Sequence, residues 1–77
     1  MQNVKDPQLL KRIGERIRNI RKQQNLSQAR LAVLMNNHAE HLGRIERGEI
    51  NVTITTLNQI ASCLNIDVAE LIKAETN

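Results

Sequence analysis

An all-α domain is predicted for this chain of 77 residues by its apolar composition, by one helical stripe and by a start signal that occurs three times. Apolar residues make up 40% of the chain and none is aromatic, so the core must be built from Leu, Ile, Val, Ala and Met, which suits packed helices better than a sandwich. Leu10, Ile13, Ile17 and Ile20 recur at steps of three and four, which aligns them on one helical face. In three places a capping residue follows one apolar residue and precedes another four positions on, the pattern of a hydrophobic staple. Ser27 stands between Leu26 and Leu31, Thr53 between Val52 and Leu57, and Asp67 between Ile66 and Leu71.

Five helices follow in order. Asp6 as cap and Pro7 in the first turn open helix 1, from about Pro7 to Gln24. Helix 2 runs from about Gln28 to Met35 behind Ser27, and Asn36-Asn37 supplies a left-handed turn after it. Helix 3 spans His38 to Arg47, with a weak start at His38 and a clear end at Gly48 after a last turn holding Arg44 and Arg47. Helix 4 runs from Ile54 to Leu64, and helix 5 from Val68 to about Ala74, where Asp67 and Glu70 match a capping box. Two short helices joined by two or three turn residues make helices 2 and 3 a helix-turn-helix unit. A chain this short is expected to be one domain, residues 1–77, with a core at about 7–74 and frayed ends, burying only roughly 60% of its unfolded surface.

Charge is divided along the chain. Residues 1–48 carry ten Lys or Arg against four acids, whereas 49–77 carry one against four, within a net charge of +3. One end is therefore suited to a polyanion and the other is not. On helix 3, at about 100° per residue, Leu42, Ile45 and Glu46 share one side, with Glu40, Gly43, Arg44 and Arg47 opposite. On that outer side Arg44 has the chemistry to donate a bidentate pair to guanine, Glu40 to accept from cytosine, and Ala39 to touch a thymine methyl. His38 and Asn37 sit at the positive end of the helix, where phosphate or base-edge contacts are made. Glu40 and Arg44 also fit an exposed i,i+4 ion pair worth about 0.3–0.5 kcal/mol. Gly43 inside a helix costs about 1 kcal/mol relative to Ala, which calls for close approach of a second helix or of DNA.

From about Ile13 to Ile72 the chain resembles the Xre family, the regulators related to phage Cro and lambda-type repressors. The resemblance rests on Leu26-Ser27-Gln28, Leu31-Ala32, Arg44-Ile45-Glu46-Arg47-Gly48 and Asn51. It implies a compact five-helix, lambda-repressor-like bundle whose third helix enters the major groove of a palindromic operator, as a dimer. Residue by residue, it implies phosphate contacts at Ser27 and Gln28, base contacts at Ala39, Glu40, His41 and Arg44, and phosphate contacts on the opposite run at Arg47 and Asn51. Arg21 and Glu46 match a structural pair bridging helices 1 and 3. The chain departs from the family pattern at Asn36, Asn37 and His38, where Gly, an apolar residue and Ser or Thr are common, so a looser turn is expected there.

Other chemistries find little support. His38 and His41 are three apart, but no third ligand completes a metal set, and no metal or cofactor is expected. Cys63, the single cysteine, reads as a small buried or half-buried hydrophobe, and a disulfide within the chain is impossible. With no secretory segment, no apolar run of about 18 residues and no nucleophile–base constellation, a cytoplasmic protein that neither catalyses nor meets a membrane is expected. Leu64, Val68, Leu71 and Ile72 offer more apolar surface than one short helix needs, which predicts a homodimer through helix 5. The short length suggests a compact regulator similar to those of restriction-modification operons or phage genes. The alternative is an antitoxin, or another protein-interaction module, that uses the same fold on a protein partner.

Overall fold

At the start of the first helix the Asp6 carboxylate accepts from the Leu9 N–H at 3.1 Å, and Pro7 occupies the first turn, where no intrahelical N–H partner is needed. The structure is a computed structural model that describes residues 6–36 and 39–73, with the backbone alone at 39 and 40. Five helices follow one another: α1 (Pro7–Gln23), α2 (Gln28–Leu34), α3 (Ala39–Glu46), α4 (Ile54–Cys63) and α5 (Ala69–Ile72). Asn37, His38 and the expected helix 3 start at His38 lie outside the described residues. Among the described residues there is no strand, and no helix is long and apolar enough to cross a membrane.

The expected caps operate at the starts of α2 and α4. Ser27 Oγ accepts from the Arg30 N–H at 3.0 Å and Thr53 Oγ1 from the Thr56 N–H at 3.2 Å. Each staple closes on the core: Leu26, Val52 and Ile66 pack against it, while Leu31, Leu57 and Leu71 are buried within it.

Helix ends share a second device. Asn25, Asn36, Asn65 and Gly48 all have positive φ, of 59°, 65°, 62° and 72°. After α1, the Leu26 N–H donates back to the Arg21 carbonyl and the Asn25 N–H to Lys22; after α4, Ile66 and Asn65 do the same to Ala61 and Ser62. This is the Schellman arrangement, with asparagine in the place where glycine is usual. Asn36 makes the left-handed turn expected of it, so its departure from glycine leaves that geometry intact.

Two expectations for the C-terminal end need correction. The expected capping box at Asp67 and Glu70 gives way to Asp67 Oδ1 accepting from the Ala69 N–H at 2.9 Å, while the Glu70 carboxylate pairs with Lys73 Nζ at 3.1 Å. Helix 5 stops at Ile72, not about Ala74, because Lys73 is extended and Arg16 of α1 donates to the carbonyls of Leu71 and Lys73. That clamp fixes α5 to α1.

The core joins Ile13 and Ile17 of α1 to Leu31, Ala32 and Met35 around α2, Leu42 and Ile45 of α3, Leu57, Ile60 and Ala61 of α4, and then Leu64 and Leu71. Leu64 and Leu71 are wholly buried inside the monomer, so these two of the four residues assigned to a dimer face belong to the core instead. The reason is local: Leu71 is the inner half of the Ile66 staple, and Leu64 ends α4 next in line after Ile60 and Ala61. Ile72 stays 38% exposed and Val68 half-buried. The half-buried Cys63 thiol donates to the Leu34 carbonyl at 3.3 Å, joining α4 to the end of α2, and burial pushes its pKa up.

Candidate nucleic-acid interface

Helix α3 is set in place by a buried charge network. Arg21 Nε and Nη2 donate to the two carboxylate oxygens of Glu46 at 2.7 and 3.0 Å, the parallel geometry that makes Arg–carboxylate pairs strong. Arg21 Nη1 donates onward to the Leu26 carbonyl at 2.8 Å, and Gln28 Nε2 donates to Glu46 Oε1 at 2.9 Å. Both charged residues are buried, at 7% and 5% exposure, so each depends on the other for its neutralisation. The hydrogen bond to Glu46 raises the Arg21 pKa further above its ordinary value, against the cost of burial. One network thereby ties α1, the start of α2 and the end of α3 together.

Two glycines admit the close approach of α1. A β-carbon on Gly14 would lie 2.4 Å from the Glu46 carbonyl oxygen, and one on Gly48 would lie 2.9 Å from Lys11 Cα. Gly43 is met by side chains, one of them from α2, and not by backbone. It is buried beneath side chains, with Arg47 Nη1 and Gln28 Oε1 at 3.2 and 3.5 Å from where its β-carbon would stand.

On the outer side of α3, Arg44 and Arg47 are exposed, with 54% and 58% of their side chains accessible. Both turn toward Glu49, a residue the sequence reading did not single out. Arg47 Nε donates to Glu49 Oε2 at 2.7 Å and Arg44 Nε lies 3.9 Å from Glu49 Oε1. The hydrogen bond from Arg47 holds the Glu49 carboxyl below its usual pKa and raises that of Arg47. A signal for this was present: with Gly48 left-handed, the Glu49 N–H folds back onto the Arg44 carbonyl at 2.9 Å, which returns Glu49 to the last turn of α3.

The other expected contact residues divide among three places. Ser27 is exposed at the start of α2, whereas the Gln28 amide is already engaged with Glu46. His41 is exposed on α3 and lines a shallow cavity of about 170 Å³ toward α4, with Met35, Ile45, Thr56 and Gln59. Asn51 is exposed in the loop before α4, near Thr53 and His41 in the adjoining cavity. The side chains of Ala39 and Glu40 lie outside the described residues, as do Asn37 and His38. The structure thus brings Gln28, Arg44 and Arg47 to the C-terminal end of α3, with Asn51 near His41 on the same helix and Ser27 exposed at the start of α2.

This geometry agrees with comparison to known proteins. A model of the helix-turn-helix family HTH_3 matches residues 17–71. An immunity repressor of Bacillus phage phi105 is 38% identical over 64 residues, covering 83% of this chain and 44% of the repressor, so the chain spans under half of that relative's length. The control protein C.SmaI of Serratia marcescens is 40% identical over 60 residues, covering 78% of this chain and 71% of the control protein. In structure, the restriction-modification controller protein C.AhdI of Aeromonas hydrophila superposes with a TM-score of 0.77 at 35% identity, covering 80% of this chain and 94% of C.AhdI. The chain belongs to the helix-turn-helix family of DNA-binding transcriptional regulators.

Proposed function

We propose that this chain is a sequence-specific transcriptional regulator that places α3 in the major groove of a palindromic operator as a homodimer. The observation that carries this is the pair of exposed guanidiniums of Arg44 and Arg47 at the C-terminal end of a helix whose inner side is fixed by a buried ion pair. Arg44 reads a guanine, while Ser27, Arg47 and Asn51 grip phosphates on either side; Ala39, Glu40 and His41 complete the base-facing set, and Asn37 and His38 precede it. Gln28 acts mainly through Glu46, holding the helix that does the reading. The protein binds and does not catalyse, and it works in the cytoplasm alongside the DNA it regulates. The phage repressor and the restriction-modification controllers among its relatives favour a compact switch of those two kinds.

Dimerisation is read from the exposed Ile72 and the half-buried Val68, which leave an apolar edge at α5. A two-fold axis there would set the recognition helices about 34 Å apart, one turn of the duplex. Selection of bound sequences from random duplexes tests the reading. A palindromic consensus bound about a thousandfold or more above scrambled DNA is expected, and a monomer in sedimentation at the same concentration would remove the dimer. Weak binding without a consensus would overturn the regulator in favour of a module, such as an antitoxin, whose target is a protein.

A further inference from the structure

Helix α1 carries a line of cations that neither the family resemblance nor the recognition helix accounts for. Lys11, Arg18 and Lys22 are spaced by seven and four residues, which places them within about 40° of one another around the helix axis. All are exposed. This line flanks the face on which Gly14 touches the Glu46 carbonyl, so it runs beside the end of α3. Between the two helices lies a groove of about 260 Å³ lined by Arg18, Arg21, Lys22, Gln28, Glu46 and Arg47. Its one carboxylate, Glu46, is already satisfied by Arg21 and Gln28. Arg18 and Lys22 therefore stand over a floor that offers them no uncommitted anion, and Arg47 is shared with Glu49 at the rim.

We propose that this groove is a binding site for a backbone phosphate of the duplex, with Arg18 and Lys22 as its donors and Arg47 turning in from Glu49 to complete it. The inference rests on the DNA-binding reading above and extends it from α2 and α3 onto α1. A phosphodiester suits the groove because Arg18, Lys22 and Arg47 all line it. A base does not: the chain has no aromatic residue on which to stack it. The site lies at the Lys22 end of the line, since toward Lys11 the adjoining groove also holds Glu15, whose carboxylate repels an anion. The contact adds affinity without sequence preference and lengthens the duplex covered by each subunit.

The test is the salt dependence of binding to the selected consensus and to scrambled duplex, with Arg18→Gln, Lys22→Gln and, as a control of equal charge on the α5 side, Lys73→Gln. Arg18→Gln and Lys22→Gln should each reduce the log–log salt slope by about 0.9 and weaken both duplexes alike, by roughly tenfold, while Lys73→Gln changes neither. Arg18→Lys should restore most of the loss. A scan with single neutral methylphosphonate linkages should find one linkage that weakens the wild-type protein and leaves Arg18→Gln unaffected. If the wild-type protein binds its consensus but Arg18→Gln keeps the full slope, or if no such linkage exists, the groove is not a phosphate site and the DNA-binding reading survives. A wild-type protein that binds no DNA overturns both.

Discussion

Gly14 of α1 and Glu46 of α3 meet backbone to backbone: a β-carbon on Gly14 would stand 2.4 Å from the Glu46 carbonyl oxygen, well inside van der Waals contact. The acceptor is main chain and cannot rotate away, so Gly14→Ala must push α1 off α3 and stretch the Arg21–Glu46 bonds. A loss of about 3 kcal/mol is expected, a fall in Tm of more than about 10 °C for a domain of this size. Gly43→Ala should do the reverse. Its β-carbon would meet only the far end of Arg47 at 3.2 Å and the Gln28 amide at 3.5 Å, so the gain in helix propensity, about 0.5–1 kcal/mol, survives. Thermal melts of the two variants check both signs, and a stable Gly14→Ala protein would refute the close approach.

The Arg21–Glu46 pair is buried and bidentate, which makes it costly to break from one side only. Arg21→Ala leaves Glu46 without its cation in a site that is 5% exposed, at an expected cost of about 3–5 kcal/mol. Chemical denaturation measures it. An unchanged midpoint would mean that the pair carries no structural weight.

How much of this was legible in the sequence depends on what each residue answers to. Helix starts were readable because Asp6, Ser27 and Thr53 act through local backbone bonds. The ends after α1 and α4 were as local, and their signal repeats: Asn25-Leu26-Ser27 and Asn65-Ile66-Asp67 are each a left-handed asparagine, an apolar residue serving both the helix before and the helix after, and a cap. Leu64 and Leu71 were misassigned because helical periodicity shows which residues share a face but not whether that face meets the chain's own core or a second subunit. Gln28 depends on Glu46, eighteen residues away, which no local pattern encodes, whereas the signal for Glu49 lay in the left-handed Gly48 that returns it to the last turn of α3.

Glu49 occupies the two arginines that DNA would need. Its carboxyl, hydrogen-bonded by Arg47, titrates below the ordinary value of 4.5. A carboxyl lowered in the folded state contributes its stability above the unfolded pKa and loses it as pH falls through the lower folded value. The Glu49 carboxylate therefore stays charged across the neutral range. A carboxyl-carbon NMR titration should place the Glu49 midpoint below 4.5, and Arg47→Gln should return it toward that value. A wild-type midpoint at the ordinary value would mean that the pair is open in solution. Glu49→Gln should raise affinity for scrambled duplex a few-fold at low salt, because it removes a charge that repels phosphate and competes for Arg47.

Arg44, on α3, and Arg47, just past its end, are three residues apart and similarly exposed, yet they should fail differently. Arg44 lies in the last turn of α3 and, in the proposed docking, projects from the side that enters the groove, so its loss would remove a base contact. Arg44→Ala should cost about 1–3 kcal/mol on the consensus, little on scrambled DNA, and relax preference at one position in each half-site. Arg47 sits where the helix gives way to Gly48, beside Gln28 and the α1 groove, where the backbone of the duplex would pass. Arg47→Ala should weaken all sequences alike and reduce the salt slope by about 1. Repeating the sequence selection with each variant separates the two roles, since only Arg44→Ala should alter the consensus. If Arg47→Ala alters it instead, α3 enters the groove by its C-terminal end, and the base-facing set moves toward Gly48 and Asn51.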